Sequence, residues 1–504
     1  MSAAELSSRK SHSKPKSKPP NKYRNEPALV AVDLGAESCR ISLLRWTGEG
    51  PAIKIVHRFS HRAANQGNGL RWDIRNICTG VEAGLRACAD LAPSGIAAVG
   101  VDGWAVDYVR LNPQGQMVEN PFCYRDERTL KAEREINSRI SVERLYALTG
   151  IQQLRINTLY QLYADGLQGM DQNTPWINLP EFVLYYFGGR RVAEYSNATH
   201  TQLLGLRDHA WCEEIFAASQ LQLEAAPPVV PPGSNLGTVG KRLDTLPAFR
   251  ETRLIAPACH DTASAIAGIG AEGEDWSFIS SGTWSLVGAV LDAPCVSDLA
   301  RRLNFSNEGG VGGKTYFLKN VNGMWLLGQC IEQWKAQGEL WTIPQLIEAC
   351  SSLAPPGRLI DVDDPPFLLP GDMPARINEH LRRRGGTQLL GSPAKAPEIA
   401  NLVFHSLAFR YAEVLSDLSK TISKPLKRVY MVGGGSQNLL LNRLTAKASG
   451  LEIVTGSSES TTIGNFAVQL AALEGNFSDP AGVSSDAVTK WARVLGEQPA
   501  AFHD

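Results

Sequence analysis

One carboxylate, Asp261, stands where an apolar lead-in at residues 254–256 gives way to small residues that favour helix. An aspartate at a helix start usually does no more than cap the helix. Three turns rich in glycine and other small residues lie elsewhere in the chain, at residues 33–38, 281–285 and 432–438. Phosphoryl transfer needs N–H and hydroxyl donors for the phosphates and a base for the acceptor hydroxyl. The four segments together indicate a phosphoryl-transfer site.

The first of these turns follows Asp33, which ends the continuous apolar run 28–33 and precedes a second short apolar run at 41–46. This pattern predicts a hairpin whose turn offers backbone N–H groups to an anion. A buried strand seldom ends on an unpaired charge, so we expect Asp33 to have a partner or to order metal-bound water. Residues 278–287 repeat the strand, turn and strand, and glycines 433–435 leave room for a flat ligand.

Acidic, glycine and tryptophan residues cluster after another apolar run, residues 96–102. The cluster contains Asp102, Trp104 and Asp107. Carboxylates accept hydrogen bonds from sugar hydroxyls, and an indole covers the apolar face of a sugar. A polar stretch further along offers three more candidates for hydroxyl contacts, Gln152, Asn157 and Gln161. The cluster therefore favours a polyhydroxylated substrate.

These segments must be positioned by more than one core, because a chain of 504 residues with 43% hydrophobic content is too long for a single one. The repeated hairpins predict a duplicated α/β fold with a cleft between the copies. A proline-rich stretch at residues 225–233 resists helix and strand pairing, so we expect the crossing between domains near it. Residues 399–423 show the apolar period of an amphipathic helix. The predicted divisions are a disordered basic tail (1–26), an N-terminal domain (27–250), a C-terminal domain (251–490) and a C-terminal tail (491–504).

Charge and composition exclude several classes of function. The net charge of −1 combines +5 in residues 1–26 with −6 in the rest, so nothing points to nucleic acid. No apolar run of about 18 residues occurs, and we expect a soluble, cytoplasmic monomer or homodimer with no membrane partner. The nine cysteines are scattered without ligand spacing, which predicts neither disulfides nor a zinc site.

Several segments resemble the sequence motif of a known binding site, but the elements expected on either side of that motif are missing. Residues 268–273 spell GxGxxG but follow a helical stretch, so a helix-ending loop is expected. Residues 309–315 are similar to a P-loop, but Glu308 stands where a glycine is required, and a hairpin is expected instead. His200 and His405 have no partners at ligand spacing and are interpreted as structural or exposed.

The chain as a whole resembles the FGGY carbohydrate kinases, which belong to the superfamily of sugar kinases, actin and Hsp70. The resemblance extends over about residues 28–475. The motifs that carry it are residues 32–40, 124–129, 149–152, 157–161, 194–199 with 201–202, 260–264, 280–285, 307–310, and 432–435 with 437–438.

The resemblance implies two ribonuclease-H-like domains of the actin-like ATPase fold that close on a central cleft. It implies that the second domain chiefly holds ATP, the first chiefly holds the sugar, and Asp261 is the general base. Asp33 would order Mg²⁺ through water. The implied nucleotide contacts are Ala36, Glu37, Ser38, Cys39 and Arg40 with Thr283 at the phosphates, Gly433, Gly434 and Gly435 at the adenosine, and Gln329. The implied sugar contacts are Gly103, Trp104, Ala105, Asp107, His260, Asp261, Thr262 and Asn320.

Within the family the chain is most similar to kinases of L-rhamnulose, so the implied reaction is ATP plus L-rhamnulose giving ADP plus L-rhamnulose 1-phosphate, with Mg²⁺. Cys39, Gly103 and Ala105 depart from the family pattern. They keep open a kinase of another ketose, deoxy-sugar or polyol, such as L-fuculose or xylulose. A further alternative is an actin-like or Hsp70-like ATPase without sugar kinase activity.

Overall fold

A computed structural model describes residues 26–240, 242–386, 389, 395–477, 479 and 481–496 of the chain. The basic tail predicted for residues 1–26 lies outside the described residues except for Glu26. The same holds for residues 497–504 of the predicted C-terminal tail.

Six strands form the main sheet of the first half of the chain, in the order β11-β12-β6-β1-β2-β3. The strands of this half are β1 (Ala28–Leu34), β2 (Ser38–Thr47), β3 (Gly50–Ser60), β4 (Ala64–Asn65), β5 (Leu70–Arg71), β6 (Ile96–Gly103), β7 (Tyr108–Arg110), β8 (Trp176–Asn178), β9 (Ala193–Glu194), β10 (Val229–Val230), β11 (Asn235–Thr238) and β12 (Arg253–Ile255). Strands β1, β2 and β3 form an antiparallel meander, whereas β6 and β12 continue the sheet in parallel with β1. We call the part of the chain built on this sheet the first lobe.

A second six-stranded sheet, of order β15-β16-β14-β13-β17-β18, organises the second lobe. Its strands are β13 (Trp276–Ser281), β14 (Trp284–Leu291), β15 (Ser306–Gly309), β16 (Thr315–Asn322), β17 (Arg428–Val432) and β18 (Glu452–Thr455). Here β13, β14 and β16 are the antiparallel strands, and β17 and β18 run parallel to β13. The order β16-β14-β13-β17-β18 repeats β3-β2-β1-β6-β12, which confirms the predicted duplication.

Helices cover the sheets and fill the junction between them. They are α1 (Ile74–Asp90), α2 (Thr129–Asn137), α3 (Val142–Thr149), α4 (Thr158–Leu167), α5 (Leu179–Tyr186), α6 (Tyr195–His200), α7 (Glu213–Ala218), α8 (Asp261–Ala267), α9 (Asp298–Arg302), α10 (Trp325–Ala336), α11 (Ile343–Cys350), α12 (Met373–Arg383), α13 (Ala396–Thr421), α14 (Leu439–Ser449), α15 (Ser460–Glu474) and α16 (Ser485–Gly496). The apolar stripe predicted for residues 399–423 is the buried face of α13. No described helix is both long and apolar enough to span a bilayer.

Two helices, α8 and α15, lie in the core between the two sheets. They approach so closely that a Cβ added to Gly464 would lie 1.8 Å from the carbonyl oxygen of Ser264. At the same crossing, a Cβ on Gly268 would lie 2.2 Å from the carbonyl oxygen of Ser460. Real Cβ atoms do not approach this closely, so the crossing depends on glycine in both helices.

The first sheet continues beyond the proline-rich stretch near which the sequence predicted the crossing between domains. The proline-rich residues 225–233 are followed by β11 and β12, which complete the first sheet. The connector therefore joins parts of the first lobe, and the expected boundary at residue 250 lies just before β12. The expected boundary at residue 490 falls inside α16.

The GxGxxG sequence and the sequence similar to a P-loop both have the structures expected from their neighbouring residues. The GxGxxG sequence begins at Gly268, the residue that caps the C-terminal end of α8. The sequence similar to a P-loop joins β15 to β16, which pair as an antiparallel hairpin.

Candidate active site

A cavity of about 330 Å³ opens between the two lobes. The turn between β1 and β2 contributes to it from the first lobe, and the turn between β13 and β14 contributes from the second. The start of α8 and the turn after β17 complete its wall. Of the residues singled out by sequence, those that line the cavity are Asp33, Ala36, Glu37, Ser38, Arg40, Trp104, Ala105, His260, Asp261, Thr262, Thr283, Asn320, Gly433 and Gly434.

Asp261 is the first residue of α8, and its side chain remains 29% exposed, into the cavity. Its Oδ1 accepts a hydrogen bond from the Thr262 hydroxyl at 3.3 Å and lies 3.4 Å from Nε2 of His260. Burial raises the pKa of Asp261 to about 6, and the negative charge of Asp33 adds to the shift. At neutral pH the carboxylate is therefore mostly ionised and able to accept a proton.

The backbone that leads into Asp261 is held by a buried carboxylate from the first lobe. Glu194 accepts a hydrogen bond from the backbone N–H of Cys259 at 2.7 Å, and its partner Ser196 accepts one from the N–H of His260 at 3.3 Å. Burial raises the pKa of Glu194 to about 7. Sequence reasoning gave these residues no role, because the acceptor and the N–H it holds are more than 60 positions apart in the chain.

An ion-pair network surrounds the end of β1. Asp33 is buried and forms an ion pair with Arg40, whose other guanidinium nitrogen donates to both oxygens of Glu459 at 3.2 Å. Arg40 thus joins the first lobe to the residue that precedes α15. Although burial disfavours its charge, Asp33 and Glu459 together raise the pKa of Arg40. Of the two possibilities that the sequence left open for Asp33, a partner or metal-bound water, the structure shows an ion-pair partner.

Asp102 is paired with Asp33 across β1 and β6 and is fully buried. Its Oδ2 accepts a hydrogen bond from Nδ2 of Asn465 in α15 at 2.5 Å. Burial, together with the charge of Asp33, raises the pKa of Asp102 well above its usual range. This carboxyl therefore belongs to the junction between the lobes and does not face a sugar.

The expected sugar contact Asp107 does not reach the cavity. Its Oδ2 accepts hydrogen bonds from the indole N–H groups of Trp72 at 2.6 Å and Trp104 at 3.0 Å, and its Oδ1 accepts one from Gln161 at 3.0 Å. The preceding residue, Val106, has a φ of 71°, a rare conformation for a β-branched residue, before the chain turns Asp107 inward. Asp107 thus orients Trp104, and Trp104 faces the cavity.

Four other expected contacts also lie away from the cavity. Cys39 is buried in the core of the first lobe, because it points to the opposite face of β2 from Ser38 and Arg40. Gly103 packs against Leu34, and Gly435 packs against Ser281. Gln329 accepts a hydrogen bond from the N–H of Gly371 at 3.2 Å, outside the cavity wall.

Of the glycines after β17, Gly433 is required by the backbone of the turn, whereas Gly434 leaves the backbone open to the cavity. Gly433 has a φ of 77°, and a Cβ there would lie 2.8 Å from the carbonyl oxygen of Ser281, so the turn needs glycine. A Cβ on Gly434 would meet nothing within 4 Å, which leaves a bare backbone surface at the cavity.

The lobes are also joined beside the cavity, by Gln152 and Asn320. The Oε1 atom of Gln152 accepts hydrogen bonds from the backbone N–H of Asn320 at 2.8 Å and from its side-chain amide at 3.0 Å. Gln152 therefore orients Asn320. His200 also lines the cavity, and it is buried in contact with Glu308 and His260. Its spacing in the sequence gave no indication of these two neighbours.

Two family domains match the chain. Residues 28–268 match the N-terminal domain of the FGGY family of carbohydrate kinases, and residues 277–473 match its C-terminal domain. The chain belongs to the FGGY family of carbohydrate kinases. The change from one family domain to the other follows α8, in agreement with β12 lying in the first sheet.

Several similar FGGY proteins are named rhamnulokinases. The chain is 36% identical to the rhamnulokinase of Bacteroides thetaiotaomicron over 461 residues, which cover 90% of this chain and 92% of that one. It is 33% identical to the rhamnulokinase of Lactiplantibacillus plantarum over 443 residues, 88% of this chain and 89% of the other. The alignments span both lobes and the cleft, and they confirm that the chain is a sugar kinase.

Solved structures of other kinases share the fold. A gluconate kinase from Lactobacillus acidophilus superposes with a TM-score of 0.70 at 16% identity, covering 93% of this chain and 96% of that one. Plasmodium falciparum glycerol kinase with ADP gives a TM-score of 0.70 at 14% identity, covering 92% of each chain. The predicted two-domain, actin-like ATPase fold is confirmed.

The role of Asp107 is testable by replacement with its amide. In Asp107→Asn, an amide N–H must face either the indole donors or the Gln161 donor, because both carboxylate oxygens are acceptors. A buried donor left unpaired costs about 1–3 kcal/mol, so we expect a lower midpoint of thermal unfolding. Asp90→Asn, at the exposed end of α1, is the control and should melt like the unaltered protein. Equal midpoints of thermal unfolding in the two variants would contradict a role for the Asp107 hydrogen bonds in holding Trp104.

Proposed function

We propose that this FGGY kinase transfers the terminal phosphoryl group of ATP to the primary hydroxyl of L-rhamnulose, giving L-rhamnulose 1-phosphate, with Asp261 as general base. The observation that carries the proposal is the position of Asp261 in the gap between the lobes, beside the turns from both sheets. The choice of sugar is supported by the rhamnulokinases that align with 33–36% identity over most of the chain.

Asp261 suits the role of base by its location and its ionisation. It lies at a helix start, recessed in the cleft, and it is not neutralised by a lysine or arginine among the described residues. As the sugar hydroxyl attacks phosphorus, the carboxylate accepts the hydroxyl proton. General base catalysis of this kind contributes about 10²–10⁴ in rate.

The remaining chemistry is alignment and charge stabilisation, because the transferred phosphoryl group carries its charge on oxygen atoms. The turn between β1 and β2 offers backbone N–H groups and the hydroxyl of Ser38. The turn between β13 and β14 offers those of Gly282 and Thr283 from the other side. The bare backbone at Gly434 fits the flat adenosine of ATP. Donors fixed in place by two sheets need no reorganisation during the reaction.

Mg²⁺ is the metal that the family implies, and Asp33 fits a role in holding it. Asp33 lines the cavity, and carboxylate oxygen and water are the ligands that Mg²⁺ prefers. Because Arg40 occupies one carboxylate oxygen, Asp33 suits contact through water better than bidentate ligation. When bound, Mg²⁺ neutralises phosphate charge and orients the phosphates.

The role of Asp33 predicts a change in metal dependence. In Asp33→Asn the shape is kept and the charge is lost, so the Mg²⁺ concentration that gives half-maximal rate should rise. Titration of the initial rate with Mg²⁺ at saturating ATP measures this, with thermal melting as a check that the Arg40 network survives. An unchanged Mg²⁺ dependence would contradict the role.

The base assignment predicts a selective loss of turnover. In Asp261→Asn, kcat for sugar phosphorylation should fall about 10²–10⁴-fold, while the dissociation constant for ATP stays nearly unchanged. Asp90→Asn is the matched control and should keep full activity. If Asp261→Asn retains more than about a tenth of kcat, the general base lies elsewhere.

The substrate is tested by a coupled assay of ADP release over a panel of ketoses, deoxy-sugars and polyols. The cavity presents Trp104 and Asn320 to the sugar, and a site built to hydrogen-bond its substrate rejects analogues whose hydroxyls are misplaced. We expect the highest kcat/KM with L-rhamnulose. A higher value with L-fuculose or xylulose would reassign the sugar, and ADP release that no sugar stimulates would indicate an ATPase.

A further inference from the structure

Three side chains of metal-binding type meet at the junction between the lobes. His200 is the last residue of α6, His260 precedes α8, and Glu308 lies in β15. Their potential ligand atoms lie within 4.8 Å of one another, and all three residues are more than 90% buried. Nε2 of His200 lies 2.7 Å from Oε2 of Glu308, and Nδ1 of His260 lies 3.8 Å from the same oxygen.

These atoms are close but not satisfied by one another. Nε2 of His200, Nδ1 of His260 and both carboxylate oxygens of Glu308 lack a hydrogen bond of acceptable geometry among the described residues. The short contact between His200 and Glu308 is therefore not aligned as a hydrogen bond. A buried polar group without a partner is costly, and a carboxylate with two such oxygens is especially so. A cation at the centre of the cluster would satisfy both imidazole nitrogens and one carboxylate oxygen of Glu308.

We propose that His200, His260 and Glu308 bind one divalent transition-metal ion of the class represented by Zn²⁺. Two imidazole nitrogens and one carboxylate oxygen form a donor set that suits Zn²⁺, whereas Mg²⁺ prefers oxygen ligands alone. Both histidines line the cleft, so a metal ion held by them would lie beside the cavity. The site is separate from the proposed Mg²⁺ position at Asp33.

The surroundings of the cluster are those of a metal site. A histidine that binds metal through one nitrogen usually donates the other N–H to a carboxylate, and Nε2 of His260 lies 3.4 Å from Oδ1 of Asp261. The ligands also come from both lobes. Helix α6 and strand β15 are already joined by a hydrogen bond from the N–H of Gly309 to the hydroxyl of Thr199 at 3.0 Å. A bound ion would add a second connection at this place and raise the midpoint of thermal unfolding.

The direct test is metal binding by the full-length protein after treatment with a chelator. Zn²⁺ is titrated in competition with a chromophoric chelator, and Co²⁺ is used as a spectroscopic substitute. We expect one equivalent of bound Zn²⁺ and a Co²⁺ spectrum of nitrogen and oxygen ligands. In His200→Gln and Glu308→Gln the affinity should fall at least about 100-fold, because even the loss of an outer partner costs 10–100-fold. His209→Gln, which alters an exposed histidine, is the control and should bind like the unaltered protein.

Three results would overturn the proposal. The first is the absence of saturable Zn²⁺ binding by the unaltered protein. This result does not depend on whether any variant folds. The second is equal affinity in His200→Gln, Glu308→Gln and the His209→Gln control. The third is a thiolate charge-transfer band with Co²⁺, which would assign the metal to cysteines. Since none of these measurements depends on sugar or ATP, their outcome is independent of the kinase proposal.

Discussion

The close crossing of α8 and α15 is the contact on which the arrangement of the cleft depends. Glycines in both helices bring the backbones together, and α15 continues across the first sheet, where Gln469 donates a hydrogen bond to the carbonyl of Val30 at 3.0 Å. Because Asp261 begins α8, this crossing determines where its carboxylate points. A side chain at Gly464 would separate the helices and move Asp261 relative to the turns of both sheets.

The electrostatics of the cleft follow from this packing. The charge of Asp33 raises the pKa of both Asp102 and Asp261, and Arg40 forms ion pairs with Asp33 and Glu459. Burial is the larger cause of the raised pKa of Asp102, and it favours the neutral form of this carboxyl. An acidic cleft does not attract ATP by itself. In the proposed mechanism the donors for phosphate would therefore be backbone N–H groups and hydroxyls, and Mg²⁺ would balance the charge of the phosphates.

The sequence predicted the features that depend on local composition. Apolar runs marked the strands, small residues marked the turns, and the change in composition at Asp261 marked the start of α8. Features that depend on contacts between distant residues were predicted less well. No local pattern links Asp107 to the two indoles that donate hydrogen bonds to it, His200 to Glu308, or Gln329 to Gly371. The two-residue period of β2 does predict the inward orientation of Cys39, because it places Cys39 on the opposite face from Ser38 and Arg40.

The most direct measurement is a crystal structure of the protein with an ATP analogue, Mg²⁺ and L-rhamnulose. We expect a carboxylate oxygen of Asp261 to lie within about 2.6–3.2 Å of the sugar hydroxyl that faces the terminal phosphorus. We also expect phosphate contacts from the turns of both sheets. A sugar whose nearest hydroxyl is out of reach of Asp261, or a nucleotide bound outside the cleft, would contradict the proposed mechanism.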